Sequence, residues 1–166
     1  MATRQDEFER IAMPHTRSLL RVARRLTSDP ASAEDLAQET MFLAWRAFDQ
    51  FRPGTNIRAW LFRILLNAIH AQGRRQNSAP STVPLEPQNF RTDSRVQAAA
   101  EVSQALDELA VDQRTVLLLA IVEGFTCREI CEILDVPIGT VMSRLARGRE
   151  ALRNLLTPKC SAKEAS

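Results

Sequence analysis

Trp60, Arg63, Asn67, His70 and Arg74 recur at steps of three and four residues, so on a helix they fall along one face. An aromatic ring, an amide and two guanidinium groups in one stripe can stack on bases, bond to their edges and hold phosphate. A half-buried Trp beside a solvated basic face has the same pattern. Thr140, Ser143, Arg144 and Arg147 form a second stripe of side chains able to read base edges in a duplex groove. Arg149 and Arg153, four apart on a neighbouring face, are placed for phosphates. Between residues 29 and 49 the sign of the charge reverses: Asp29, Glu34, Asp35, Glu39 and Asp49 face the single base Arg46. Acids gathered on one element suit a basic protein surface, so the segregation points to two kinds of partner. No Gly-rich phosphate loop, metal-ligand cluster or nucleophile with a placed base occurs, so neither enzymatic chemistry nor a cofactor is expected.

The elements that position these stripes are helical. The chain has no tyrosine and little period-2 alternation, and its apolar residues recur at helical spacing, which predicts an all-α fold. Pro80, Pro84 and Pro87 among Ser, Thr, Gln and Asn mark residues 77–94 as a linker between two small helical domains, residues 1–76 and 95–166. In the first, a helix is expected over residues 6–26, bent or divided by Pro14, with Leu19, Leu20, Val22, Ala23 and Leu26 as its apolar side. Ser28-Asp29-Pro30 opens a second helix to about residue 51, whose buried face takes Ala33, Leu36, Ala37, Thr40, Met41, Ala44, Ala47, Phe48 and Phe51. Asp35, Glu39, Arg46 and Asp49 lie off that face. After the break at Arg52-Pro53-Gly54-Thr55, Asn56 can cap a third helix to about residue 76, with Ile57, Leu61, Ile64, Leu65 and Ala68 inward.

The second domain opens with helices over residues 95–109 and 112–122, ended by Gly124. Thr126-Cys127-Arg128-Glu129 is a capping box for a short helix to Leu134, and Asp135-Val136-Pro137 makes a turn. A long basic helix follows over residues 138–156, with Ile138, Val141, Leu145, Gly148, Leu152 and Leu155 inward. Short helix, tight turn and long basic helix make a helix-turn-helix, which presents its second helix to the major groove.

Composition sets the compartment. No apolar run approaches the ~18 residues of a membrane span and the first ten residues are polar, so a cytoplasmic protein without membrane insertion is expected. Cys127, Cys131 and Cys160 form no even framework and no metal set, since His15 and His70 lie in the other half; inert thiols are expected. Of 22 basic residues 20 are arginine, which suits bidentate contact with phosphate or guanine and equally reflects a GC-rich genome.

These residues resemble the extracytoplasmic-function group of sigma factors, the smallest members of the sigma-70 class. Ala33-Glu34-Asp35-Leu36-Ala37-Gln38-Glu39-Thr40 with Ala44-Trp45-Arg46 is similar to region 2.2. Phe51-Arg52-Pro53-Gly54-Thr55-Asn56 with Arg58-Ala59-Trp60-Leu61-Phe62-Arg63-Ile64 and Asn67 is similar to regions 2.3 and 2.4. Ala105-Leu106-Asp107-Glu108-Leu109 through Asp112-Gln113-Arg114 resembles region 4.1, and Gly124-Phe125-Thr126 through Gly148 resembles region 4.2. The resemblance implies that Asp35, Gln38 and Glu39 bind the β′ clamp helices of core RNA polymerase. It implies that the third helix takes the −10 element of promoter DNA as a single strand, with Phe51, Ile64 and Asn67 around a flipped base. It implies further that the second domain reads the −35 duplex beside the β flap, and that an anti-sigma factor restrains the chain. Met142 departs from the family, standing where many relatives carry Lys or Arg. A helix-turn-helix regulator of another type and a sigma-like decoy without initiation activity are the competing readings.

Overall fold

The computed structural model describes residues 3–27, 29–76 and 94–157, so the expected linker, all but its last residue, and Cys160 lie outside the described residues. Among them the regular structure is helical throughout. Helix α1 (Arg4–Ala12) begins at a reciprocal cap, Thr3 Oγ1 accepting from the Asp6 N–H at 3.2 Å and the Asp6 carboxylate accepting from the Thr3 N–H at 2.8 Å. Pro14 has no amide hydrogen to continue the ladder, and the chain tightens into a 3-10 turn at Met13–His15 before α2 (Thr16–Leu26). The helix expected over residues 6–26 is therefore two.

Helix α3 (Pro30–Arg46) starts where Asp29 accepts from the Ser32 N–H at 2.8 Å and Pro30 fills the first position, whose amide would be unpaired in any case. It stops at Arg46, short of the expected residue 51; a 3-10 turn at Phe48–Gln50 completes the stretch. Helix α4 (Ile57–Gln76) is capped by Asn56, whose Oδ1 accepts from the Ala59 N–H at 3.1 Å. The apolar stripes of α2, α3 and α4 close on one another, burying Leu19, Val22, Ala23, Ala33, Leu36, Ala44, Leu61 and Leu65. Each buried leucine contributes about 1.5–3 kcal/mol, so this packing holds α3 and α4 far more firmly than helix propensity could.

The second unit comprises α5 (Ser94–Asp107), α6 (Val111–Leu117), α7 (Cys127–Leu134) and α8 (Ile138–Leu156). Helix α6 runs on as a wider π turn over Leu118–Val122, in which the Glu123 N–H reaches back to the Leu118 carbonyl at 3.0 Å. Gly124 then takes φ +70°, a left-handed conformation that a side chain would strain. Helices α6 and α8 approach closely at Gly148, where an added Cβ would lie 3.0 Å from Leu117 Cδ1. Val141, Leu145 and Gly148 are buried on α8 and Leu152 half-buried, as their spacing predicts. Ile138 and Leu155, expected inward, are instead 47% and 43% exposed, because they sit in the first and last turns of the helix, at the limits of what α6 and α7 cover.

The two units touch. Helix α4 packs against α7 as well as α3, with Phe62 edge-on to Phe125 at 5.2 Å between ring centres. Phe62 and Leu66 lie outside the core stripe expected for α4 and are nonetheless buried; for Phe62 the second unit contributes a wall, at Phe125, that the first domain's own periodicity does not announce.

Candidate nucleic-acid interface

Helix α4 divides its surface between two jobs. One side is covered by α3 and α7; Arg63, Asn67, His70 and Arg74 remain exposed in a continuous row at steps of three and four. Trp60 and Ile64 are half-buried at the edge of that row. Phe51, in the segment between α3 and α4, is also half-buried and lies 5.3 Å from the Trp60 ring, at the end of an aromatic run through Phe8, Phe48 and Phe51. The fold thus joins Phe51 to the α4 stripe, although nine residues separate it from Trp60. A firm aromatic edge beside an exposed amide and two exposed guanidinium groups can stack a base, bond its edge and hold its phosphate.

Helix α7 is fixed by the expected capping box: the Thr126 Oγ1 accepts from the Glu129 N–H at 3.3 Å and Glu129 Oε2 from the Thr126 N–H at 2.8 Å. The bond from the Thr126 N–H, with further hydrogen bonds from the Thr126 hydroxyl and Asn56, holds the Glu129 carboxyl below the ordinary glutamate range, with Arg58 adding to the effect. Asp135, at φ 54°, turns the chain left-handed into α8, a conformation aspartate tolerates better than most residues.

On α8, Arg147, Arg149 and Arg153 are exposed, whereas Thr140, Ser143 and Arg144 are half-buried. The Ser143 hydroxyl donates to the Thr140 carbonyl at 3.1 Å, and the Arg144 guanidinium lies 2.7 Å from Asp112 Oδ2 of α6. Arg144 therefore braces α8 against α6, while the exposed Arg147 makes no ion pair among the described residues. Met142, 58% exposed, shares a flank with Arg149 and Arg153. Nothing in the local spacing signals the Arg144–Asp112 pair, which joins residues far apart in sequence.

On α3 the candidate docking residues Asp35, Gln38 and Glu39 are all exposed along one face. Phe42, next on that face, is 59% exposed, an aromatic in the middle of an acidic helix surface with Arg46 5.7 Å from its ring. Sequence reasoning passed over Phe42, although its absence from the apolar stripe was the available signal. Cys127 and Cys131 are half-buried against the core, and among the described residues no cluster of metal-ligating side chains occurs. No helix among them is long and apolar enough to cross a membrane.

A two-unit helical chain whose second unit is a helix-turn-helix with exposed arginines belongs, as a class, with DNA-binding transcription proteins. Residues 11–79 match the family described as Sigma-70 region 2, and residues 99–152 that described as Sigma-70, region 4. The chain is 34% identical over 165 residues to the ECF RNA polymerase sigma factor SigE of Mycolicibacterium smegmatis, an alignment covering 93% of this chain and 63% of that protein's length. It is 36% identical over 152 residues to the ECF RNA polymerase sigma factor SigM of Mycobacterium tuberculosis, covering 90% and 76%. Among solved structures, the sigma factor RpoE of Bartonella quintana, in complex with the anti-sigma factor NepR, superposes with a TM-score of 0.76 at 30% identity, over 92% of this chain and 98% of that one. The chain belongs to the sigma-70 family, in its extracytoplasmic-function (ECF) group.

Proposed function

We propose that this chain binds core RNA polymerase and directs promoter-specific initiation, with residues 1–76 docking on the enzyme and engaging the −10 element and residues 95–166 reading the −35 element. The observation that carries the division is the exposure of two separate basic stripes, on α4 and α8, while the acidic face of α3 stays free of both. Asp35, Gln38 and Glu39, with Phe42 as an apolar anchor among them, form the face for the β′ clamp helices. Phe51, Trp60, Ile64 and Asn67 take an unstacked −10 base, and Arg63, His70 and Arg74 follow the strand. Arg147 reads a base edge at −35, flanked by Thr140, Ser143 and Arg144, and Arg149 and Arg153 hold phosphates. The β flap packs near the second domain, the bond-making chemistry belongs to the polymerase, and an anti-sigma factor restrains the chain in the cell. Support for that last partner comes from the similar Bartonella quintana sigma factor, solved with its anti-sigma factor.

Selection of random promoter fragments by core polymerase, with and without the chain, tests the reading. Enrichment of two sequence elements at a fixed spacing, present only with the chain, is the expected result. Fragments enriched in the −35 element alone would favour a helix-turn-helix regulator of another type.

A further inference from the structure

Glu123, between the π turn and α7, is a buried carboxylate whose charge is met from the other unit: its side chain is 1% exposed. Arg21 of α2 lies 2.7 Å from Oε1, donating from Nε and Nη2, and Arg58 of α4 lies 2.7 Å from Oε2. Arg58 also donates to the Glu123 backbone carbonyl and stands 4.3 Å over the Phe125 ring. Around this centre Asn56 Nδ2 donates to Glu129 Oε1 at 2.7 Å, the Arg114 guanidinium to the Arg25 carbonyl at 3.2 Å, and Arg25 to the Ser103 hydroxyl. Every one of these bonds joins the first unit to the second. The π turn and the left-handed Gly124 are what bring Glu123 and Phe125 side by side at this seam.

We infer that the Arg21–Glu123–Arg58 clamp latches a closed resting form of the chain, which must open before both promoter elements can be held at once. The inference rests on the sigma-factor reading above. Elements named −10 and −35 have centres ~25 base pairs apart, or ~85 Å at ~3.4 Å per base pair. A compact chain of 166 residues has a radius of gyration near ~15 Å and so a breadth of ~40 Å. With α4 and α7 in contact, the two reading stripes cannot span the larger distance. Residues 76 and 94 are joined by 18 residue steps, which reach at most ~60 Å when extended, so opening the seam lets the units, each with its own width, meet both elements. A carboxylate deprived of water is stable only while its partners stay; parting the units re-solvates Glu123 and both arginines together, so the clamp is either made or released as a whole.

Small-angle scattering of the full chain, paired with transcription by purified core polymerase at limiting chain concentration, tests the latch. Glu123→Gln, which keeps the shape and removes the charge, is expected to enlarge the radius of gyration, keep the helical circular dichroism and raise promoter-dependent output severalfold. Arg21→Ala, altering a side chain that is half exposed, is expected to shift both readouts in the same direction by less, and it decides the question if Glu123→Gln fails to fold. Scattering identical to wild type in a folded variant would overturn the latch, as would expansion with unchanged output while the wild type transcribes. If wild type and variants alike gave no promoter-dependent transcripts, the functional reading would fall, while expansion of the variants would still support a latch between the units.

Discussion

Asn67 and Arg147 carry the most specific chemistry assigned to single residues, because both are exposed and neither is committed to a side-chain partner among the described residues. An amide can donate to and accept from the edge of an unstacked base, so Asn67→Ala is expected to reduce promoter melting and relax −10 preference with little change in core binding. Permanganate footprinting checks this; normal melting with normal preference would leave the α4 row as a solvated face. Loss of a bidentate arginine–base contact costs about 1–3 kcal/mol at one position, whereas loss of a phosphate contact weakens all sequences alike. Arg147→Ala is therefore expected to relax discrimination at one −35 position, and Arg153→Ala to flatten the salt dependence instead. Holoenzyme binding to a panel of −35 variants at several salt concentrations separates them, and a uniform loss with Arg147→Ala would contradict base reading. Arg144 stands in the same sequence stripe as Arg147, yet its pairing with Asp112 makes it a brace, a distinction no spacing rule contains.

Helices were the most legible scale, since caps and stripes are local: Asp29, Asn56 and Thr126 all cap where the sequence places them. Pro14 signalled a break whose form, a 3-10 turn between two helices, needed the structure. The Thr126 box predicts its own test. Thr126→Ala is expected to cost about 1 kcal/mol of stability, measured by denaturant unfolding at neutral pH. The Glu129 carboxyl is held below its ordinary range first by the Thr126 N–H, which alanine keeps, and next by the Thr126 hydroxyl, which alanine lacks; the hydroxyl's share is present above the unfolded pKa and fades as pH falls through the folded one. The gap between wild type and Thr126→Ala should accordingly narrow under acid, and a gap that widened there would contradict the box. On α3 the acids and Phe42 lie off the packed stripe, so reversing Asp35 and Glu39 to lysine is expected to weaken core-polymerase binding by at least tenfold with helicity intact. Unchanged retention on immobilised core enzyme would remove the docking assignment.

At the scale of the whole molecule, the all-α fold was legible in the sequence, whereas the seam between its two units was not. Phe62 and Glu123 are buried where elements far apart in the chain meet, and a periodic pattern records the side of a helix, not which distant partner covers it. Glu123 in particular is a charged residue with no local sign of burial, and its two arginine partners are 102 and 65 residues away. The same seam joins the unit proposed to dock on the polymerase to the unit proposed to read the −35 element, so the proposed function belongs to the pair rather than to either one. Run-off transcription by purified core polymerase from a template carrying a −35 and a −10 element tests that most directly. The expected result is a transcript of one defined length that requires the chain and disappears when either element is scrambled. A chain that binds core polymerase yet yields no such transcript would contradict initiation and identify it instead as a sigma-like decoy.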